Sequence, residues 1–193
     1  EVPSRHLGLS LRELQELDAL PEDVAALIEK HVDVDRLLKA CMRPRPALPA
    51  EEAVPTSAPG RKIAVARDEA FNFIYEENIR ALAAQGEVSF FSPLKDEALP
   101  ECDLLYLPGG YPEFYLSELA AAERSRSSIA AYAAAGGRVL AECGGMMYLC
   151  RAIRDEEGKA YPMCGVLDQE ATMEGMRLRL GYRKLRLGGH EYR

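Results

Sequence analysis

Cys143 stands where a short apolar run meets two glycines. Arg138-Val139-Leu140-Ala141-Glu142 leads into Cys143-Gly144-Gly145 and then Met146-Met147-Tyr148-Leu149. A strand that turns abruptly into a helix lifts the residue at the turn clear of the sheet, and small residues after it let backbone and substrate come close. The helix N-terminus behind such a turn favours the thiolate, the reactive form of cysteine. The Gly144 N–H would then point at the oxyanion that develops on an attacked carbonyl. A second turn, Leu107-Pro108-Gly109-Gly110-Tyr111-Pro112-Glu113, ends another apolar run. Gly109 and Gly110 can turn backbone N–H groups toward the neighbouring strand end and supply the other half of an oxyanion hole. The chemistry these residues suit is nucleophilic attack by a thiolate on a carbonyl. A small buried cysteine beside a glycine turn is the bland alternative, and the pairing of the two turns argues against it.

A reactive thiol also needs a group to manage its proton. The chain has three histidines, His6, His31 and His190. His6 and His31 lie in the helical N-terminal part and read as structural or solvent-facing. His190, in Gly189-His190-Glu191-Tyr192, is the candidate partner. The remaining cysteines read as structural: Cys41 lies on a helix face, Cys102 precedes a strand, Cys150 follows a helix turn and Cys164 sits in an apolar stretch. None has metal-ligand spacing, so no metal site is expected. Five cysteines without regular spacing suit a reducing, cytoplasmic compartment better than a disulfide scaffold.

The elements that must carry the two turns follow from the pattern of the chain. Lys62–Ala66, Val88–Phe91, Asp103–Leu107 and Arg138–Glu142 are short apolar runs of the kind found in buried parallel strands. Helix-length segments separate them. Phe73, Ile74, Ile79 and Leu82 predict a helix over Ala70–Ala84, and further helices are expected over 113–123 and 127–135. The expected fold is therefore α/β, a mostly parallel flavodoxin-like sheet covered on both faces by helices, with chemistry at the carboxyl ends of its strands. Before it the pattern is purely helical. Ser10 and Glu13 form a capping box ahead of Leu11, Leu14 and Leu17, a second helix starts at Pro21, and a third starts near Asp33 or Asp35. Five of the 12 prolines fall between Pro44 and Pro59. That density forbids helix and ladder and predicts an extended linker; its 17 residues could reach about 50 Å at roughly 3.1 Å each. The expected organisation is thus a helical segment over 1–43, a Pro/Ala-rich linker over 44–60 and an α/β domain over 61–193. Residues 1–43 are too few to bury a core alone and read as the end of a larger domain.

Charge and hydropathy narrow the function classes. The chain carries 24 Lys and Arg against 31 Asp and Glu, a formal net charge of −7. That balance argues against nucleic-acid binding through a broad positive field. No run of 18 apolar residues occurs, so no membrane-spanning helix is expected. Between Arg177 and Arg193 the trend reverses, with six Lys and Arg and one acid in an alternating pattern around Gly181. This predicts a partly solvated β-ribbon at the sheet edge, whose cations deter edge pairing or dock a polycarboxylate.

Pro108-Gly109-Gly110-Tyr111-Pro112-Glu113 and Ala141-Glu142-Cys143-Gly144-Gly145-Met146-Met147-Tyr148-Leu149 together resemble the glutaminase half of the cobyrinate a,c-diamide synthase family. Arg5-His6-Leu7-Gly8-Leu9 is similar to the close of that family's ATP-dependent ligase domain. Leu180-Gly181-Tyr182-Arg183 and Gly189-His190-Glu191-Tyr192 are similar to its later motifs. The resemblance covers nearly the whole chain except the linker. It implies a class I glutamine amidotransferase fold and an enzyme of cobalamin biosynthesis. Cys143 would attack glutamine to give a γ-glutamyl thioester and ammonia, with Gly109, Gly110 and Gly144 around the oxyanion. Tyr111 and Glu113 would line the glutamine pocket. ATP and Mg²⁺ would activate a carboxylate of the corrinoid acceptor in an N-terminal ligase domain, since no Gly-x-x-x-x-Gly-Lys-[Ser/Thr] phosphate cradle occurs here. The family's usual catalytic histidine would fall beyond Arg193, so this chain alone is expected to be impaired. A neighbouring family, cobyric acid synthase or another tetrapyrrole amidotransferase, would show the same motifs. A non-catalytic module that keeps the elbow fold is the alternative of a different class.

Overall fold

The structure is a computed structural model that describes residues 20–43, 60–175 and 184–192. Ser10–Leu17, most of the linker and the stretch around Gly181 lie outside the described residues. In the N-terminal part, α1 (Leu20–His31) and α2 (Val34–Cys41) follow the expected periodicity. Asp33 caps α2 by accepting from the Arg36 N–H at 2.9 Å. Neither helix hides its apolar residues: Leu27, Leu37 and Leu38 are at least half exposed.

The α/β domain is built on four parallel strands, β1 (Lys62–Ala66), β2 (Glu87–Phe91), β3 (Leu104–Leu107) and β4 (Arg138–Ala141). Their order, β2-β1-β3-β4, is the flavodoxin-like one. β1 lies between two partners, and its Ile63-Ala64-Val65-Ala66 run is buried throughout. Alternation sends Ile63, Val65 and Tyr106 to one face, where Ile79 and Leu82 of α3 (Glu76–Ala83) cover them. Ala64, Ala66, Leu105 and Leu107 face the main core with Leu119, Ile129, Tyr148 and Ile153. The register sets Leu140 beside Tyr106, on the α3 face, yet Leu140 is 51% exposed. Helices flank the sheet as expected, and α3, eight residues long, lies over β1, β2 and β3 and leaves Leu140 on β4 uncovered among the described residues.

Three expectations need correction. The helix predicted over Ala70–Ala84 begins only at Glu76. Asp68 at the end of β1 captures the Ala70 and Phe71 N–H groups at 3.0 and 3.1 Å, and Phe73 donates its N–H to the Gly109 carbonyl at 3.1 Å. A helix over 70–84 would spend the Phe73 N–H and the Ala70 carbonyl internally; given to Gly109 and Tyr111 instead, they leave 70–75 irregular despite its helical spacing. The helices expected over 113–123 and 127–135 are a 3₁₀ turn, Pro112–Phe114, then α4 (Leu116–Ala121) and α5 (Glu123–Ala134), broken at Ala122 with ψ 68°. After α6 (Gly144–Leu149) an unexpected second sheet forms from β5 (Cys150–Arg154), β6 (Ala160–Pro162) and β7 (Leu167–Thr172), in the order β6-β5-β7.

The described part of the basic ribbon is a hairpin, β8 (Leu185–Leu187) with β9 (His190–Tyr192). Gly188 and Gly189 turn it with φ of 55° and 83°, a conformation that two-residue hairpins need and glycine adopts freely. Among the described residues it pairs only with itself and does not extend the parallel sheet.

Candidate active site

The site lies at the carboxyl edge of the parallel sheet, where loops from β1, β3 and β4 meet. At β4 the ladder runs one residue further, with the Glu142 N–H on the Leu107 carbonyl at 3.1 Å. Cys143 then takes φ 50° and ψ −118° and α6 starts at the next residue. The turn is closed by Gly145 N–H on the Glu142 carbonyl at 2.9 Å and by Met146 and Met147 N–H on the Cys143 carbonyl at 3.1 and 3.2 Å. A left-handed φ is strained for any residue with a Cβ and persists only where the surroundings determine it. The thiol that results is exposed. By contrast Cys150 and Cys164 are buried, and burial pushes their thiols up, that of Cys164 to about 12. Cys102 is half-buried and shifts the same way for the same reason.

The glycines are required by proximity. A Cβ on Gly144 would sit 2.6 Å from Pro112 Cδ and 3.1 Å from the Gly110 carbonyl oxygen, and one on Gly145 would strike the Leu107 carbonyl. The elbow and the Pro-Gly-Gly loop are therefore in contact, as the two motifs suggested. Gly109 lies between Cys143 and Phe73, each with its Cβ 3.5 Å from the position a Gly109 Cβ would take. Tyr111 N–H on the Ala70 carbonyl at 3.0 Å and Phe73 N–H on the Gly109 carbonyl clamp this loop from the β1 side. Among the described residues neither the Gly110 nor the Gly144 N–H is given to a protein acceptor. Two donors on touching residues beside an exposed thiol can stabilise an oxyanion.

Asp68 organises the clamp. Besides Ala70 and Phe71, its carboxylate accepts from Ser92 Oγ and Leu94 N–H, both at 3.0 Å, so it ties the end of β1 to the turn after β2. Burial pushes its carboxyl above the ordinary value of 3.8, the four hydrogen bonds opposing the shift. On the other face Tyr106 donates its hydroxyl to the carboxylate of Glu142, the residue before Cys143. Burial first, and this bond second, push the Tyr106 hydroxyl up to about 12.

Tyr111 is 9% exposed and stacks on Phe114 with centroids 5.4 Å apart. It lines a cleft of about 690 Å³ with Arg67, Phe73, Phe90 and Lys95 at the carboxyl ends of β1 and β2. Glu113 sits half-buried in the 3₁₀ turn and is not among the cleft's lining residues. His190 is exposed on β9, opposite Leu187, and no hydrogen bond among the described residues joins it to the Cys143 turn.

Sequence reasoning passed over Asp68, Phe73, Tyr106 and Glu142. Asp68 carried a signal, an Asp just after an apolar strand and able to bond its own backbone two residues on. The tie from Tyr106 to Glu142 spans 36 residues and has no local signature.

A flavodoxin-like sheet with a strained cysteine elbow against a glycine loop defines an α/β domain of the class I glutamine amidotransferase kind. The chain belongs to the CobB/CobQ-like glutamine amidotransferase family, whose domain matches residues 62–193. It is 43% identical over 188 residues to the hydrogenobyrinate a,c-diamide synthase of Brucella anthropi, covering 95% of this chain and 43% of that protein. The protein of the same name in Pseudomonas aeruginosa is 39% identical over 202 residues, covering 100% of this chain and 45% of that protein. The cobyrinate a,c-diamide synthase of Saccharolobus solfataricus is 35% identical over 186 residues, covering 96% and 43% respectively. The chain thus spans less than half the length of these relatives.

Proposed function

We propose that this chain is the glutaminase part of an ATP-dependent amidotransferase that amidates the a and c side-chain carboxylates of cobyrinate or hydrogenobyrinate. The observation that carries the reading is the exposed, strained Cys143 beside the unspent N–H groups of Gly110 and Gly144. The Cys143 thiolate attacks the side-chain carbonyl of glutamine, and the oxyanion of the tetrahedral intermediate accepts from those two N–H groups. Collapse breaks the C–N bond, and the leaving nitrogen takes up the proton that the thiol gave up and departs as ammonia. Water then cleaves the γ-glutamyl thioester to glutamate and restores the thiol. Tyr111 and the cleft beside it suit the walls of the glutamine pocket, with Glu113 one turn further on. His190 remains a candidate proton carrier by its chemistry alone.

The acceptor half of the reaction belongs to a fused ligase domain. The relatives' length, more than twice this chain, supports that arrangement, with residues 1–43 as the end of the ligase domain and 44–60 as the tether. Among the described residues no group of three His, Cys, Asp or Glu could hold a metal ion. On this reading ATP and Mg²⁺ bind the ligase domain, and no step here passes through them. Among the described residues no helix is long and apolar enough to cross a membrane.

Labelling with the glutamine mimic diazo-oxo-norleucine, followed by peptide mass mapping, tests the reading. Modification confined to Cys143 and prevented by glutamine is the expected result. Modification of other cysteines, or labelling that glutamine does not slow, would overturn it.

A further inference from the structure

We propose that Tyr106 and Glu142 form a positioning pair that holds the Cys143 elbow in its reactive conformation; the inference rests on the glutaminase reading above. A cysteine at φ 50° relaxes unless its neighbours are fixed. Glu142, immediately before it, is held three ways: its N–H donates to the Leu107 carbonyl, its carbonyl accepts from the Gly145 N–H, and its carboxylate accepts from the Tyr106 hydroxyl. The first two belong to the backbone and would form with any side chain at 142. The third depends on side chains alone, and it comes from the neighbouring strand on the α3 face of the sheet.

The two ends of that bond differ in character. Tyr106 is 2% exposed and packed with Ile63 and Val65 under α3, so the core sets where its hydroxyl lies. Glu142 is exposed, so no packing demand calls for it there. A hydrogen bond from a phenol that the core holds in place fixes the direction of the Glu142 side chain. It pins a residue that would otherwise carry a freely rotating chain in water. The pair thus ties the elbow to the rigid centre of the sheet, independently of the glycine contacts on the opposite face.

The test is the rate at which diazo-oxo-norleucine modifies Cys143 in the full chain, at increasing reagent concentration. Tyr106→Phe and Glu142→Ala should each slow the maximal rate about tenfold with the half-saturating concentration unchanged. The double variant should be no slower than either single one, since both remove the same bond. Glu142→Gln, whose amide oxygen still accepts from the tyrosine, should stay within about twofold of wild type. Wild-type speed in Tyr106→Phe would overturn the proposal. So would Glu142→Gln as slow as Glu142→Ala, which would assign the effect to charge. A slowing accompanied by modification of the buried Cys164 would reflect loss of the fold and also overturn it. If the mimic leaves wild-type Cys143 untouched, the glutaminase reading falls. The same comparison with iodoacetamide, which needs no glutamine pocket, then still decides the pair.

Discussion

Cys143 carries strain in its own backbone, and that strain is measurable. Glycine adopts φ 50° without penalty, and a side-chain-bearing residue there costs about 1–3 kcal/mol. Cys143→Gly should therefore abolish glutamine hydrolysis while raising stability by about 1 kcal/mol, after the larger chain entropy of glycine is set against the relief. Paired thermal melts and glutaminase assays check this; a destabilised Cys143→Gly would mean the turn is not strained. Gly144→Ala should act in the opposite sense. Its Cβ would meet Pro112 Cδ at 2.6 Å, forcing α6 away from the Gly109–Gly110 loop and costing about 1–3 kcal/mol in denaturant unfolding. Both turns were legible in the sequence because glycine and cysteine types at a strand end restrict what the backbone can do. The partners of Cys143 were not, because proximity across strands leaves no trace in local composition.

At the scale of elements, the segment between β1 and α3 decides the shape of the site. Its residues have helical spacing, and the sequence alone predicts a helix from Ala70. The Phe73 N–H and the Ala70 carbonyl, which a helix would spend internally, go instead to the Gly109 carbonyl and the Tyr111 N–H, while Asp68 ties the segment to the turn after β2. Asp68→Asn keeps one accepting oxygen and loses the other, so it should destabilise the domain by about 1–3 kcal/mol. It should also loosen the Gly109–Gly110 loop, read as slower Cys143 labelling. The carboxyl has a further signature in pH. Because burial raises its folded value above 3.8, the folded state holds the proton more tightly than the unfolded chain does. The Asp68 contribution to stability therefore falls as pH rises from 3.8 through the raised folded value, and is level above it. Urea titrations of wild type and Asp68→Asn across the acid range should differ by that slope. A slope of opposite sign would show that the four hydrogen bonds outweigh desolvation.

On the scale of the whole molecule, the family match covers 62–193 and the relatives are more than twice as long. The helices α1 and α2 leave Leu27, Leu37 and Leu38 at least half exposed. Replacing these three by Gln should change the stability of this chain by less than about 0.5 kcal/mol each, as exposed positions do. A large loss in thermal unfolding would show that the helices pack on the α/β domain.

The sequence by itself determined the alternation of strands and helices, the place of Cys143 at a strand end and the family, since these rest on short-range periodicity and on motifs of adjacent residues. Only the tertiary structure decided that the Cys143 elbow touches the Pro-Gly-Gly loop, that the Phe73 N–H goes to Gly109 in place of a helix and that Tyr106 reaches Glu142. Each of those depends on residues far apart in the chain and made neighbours by strand register.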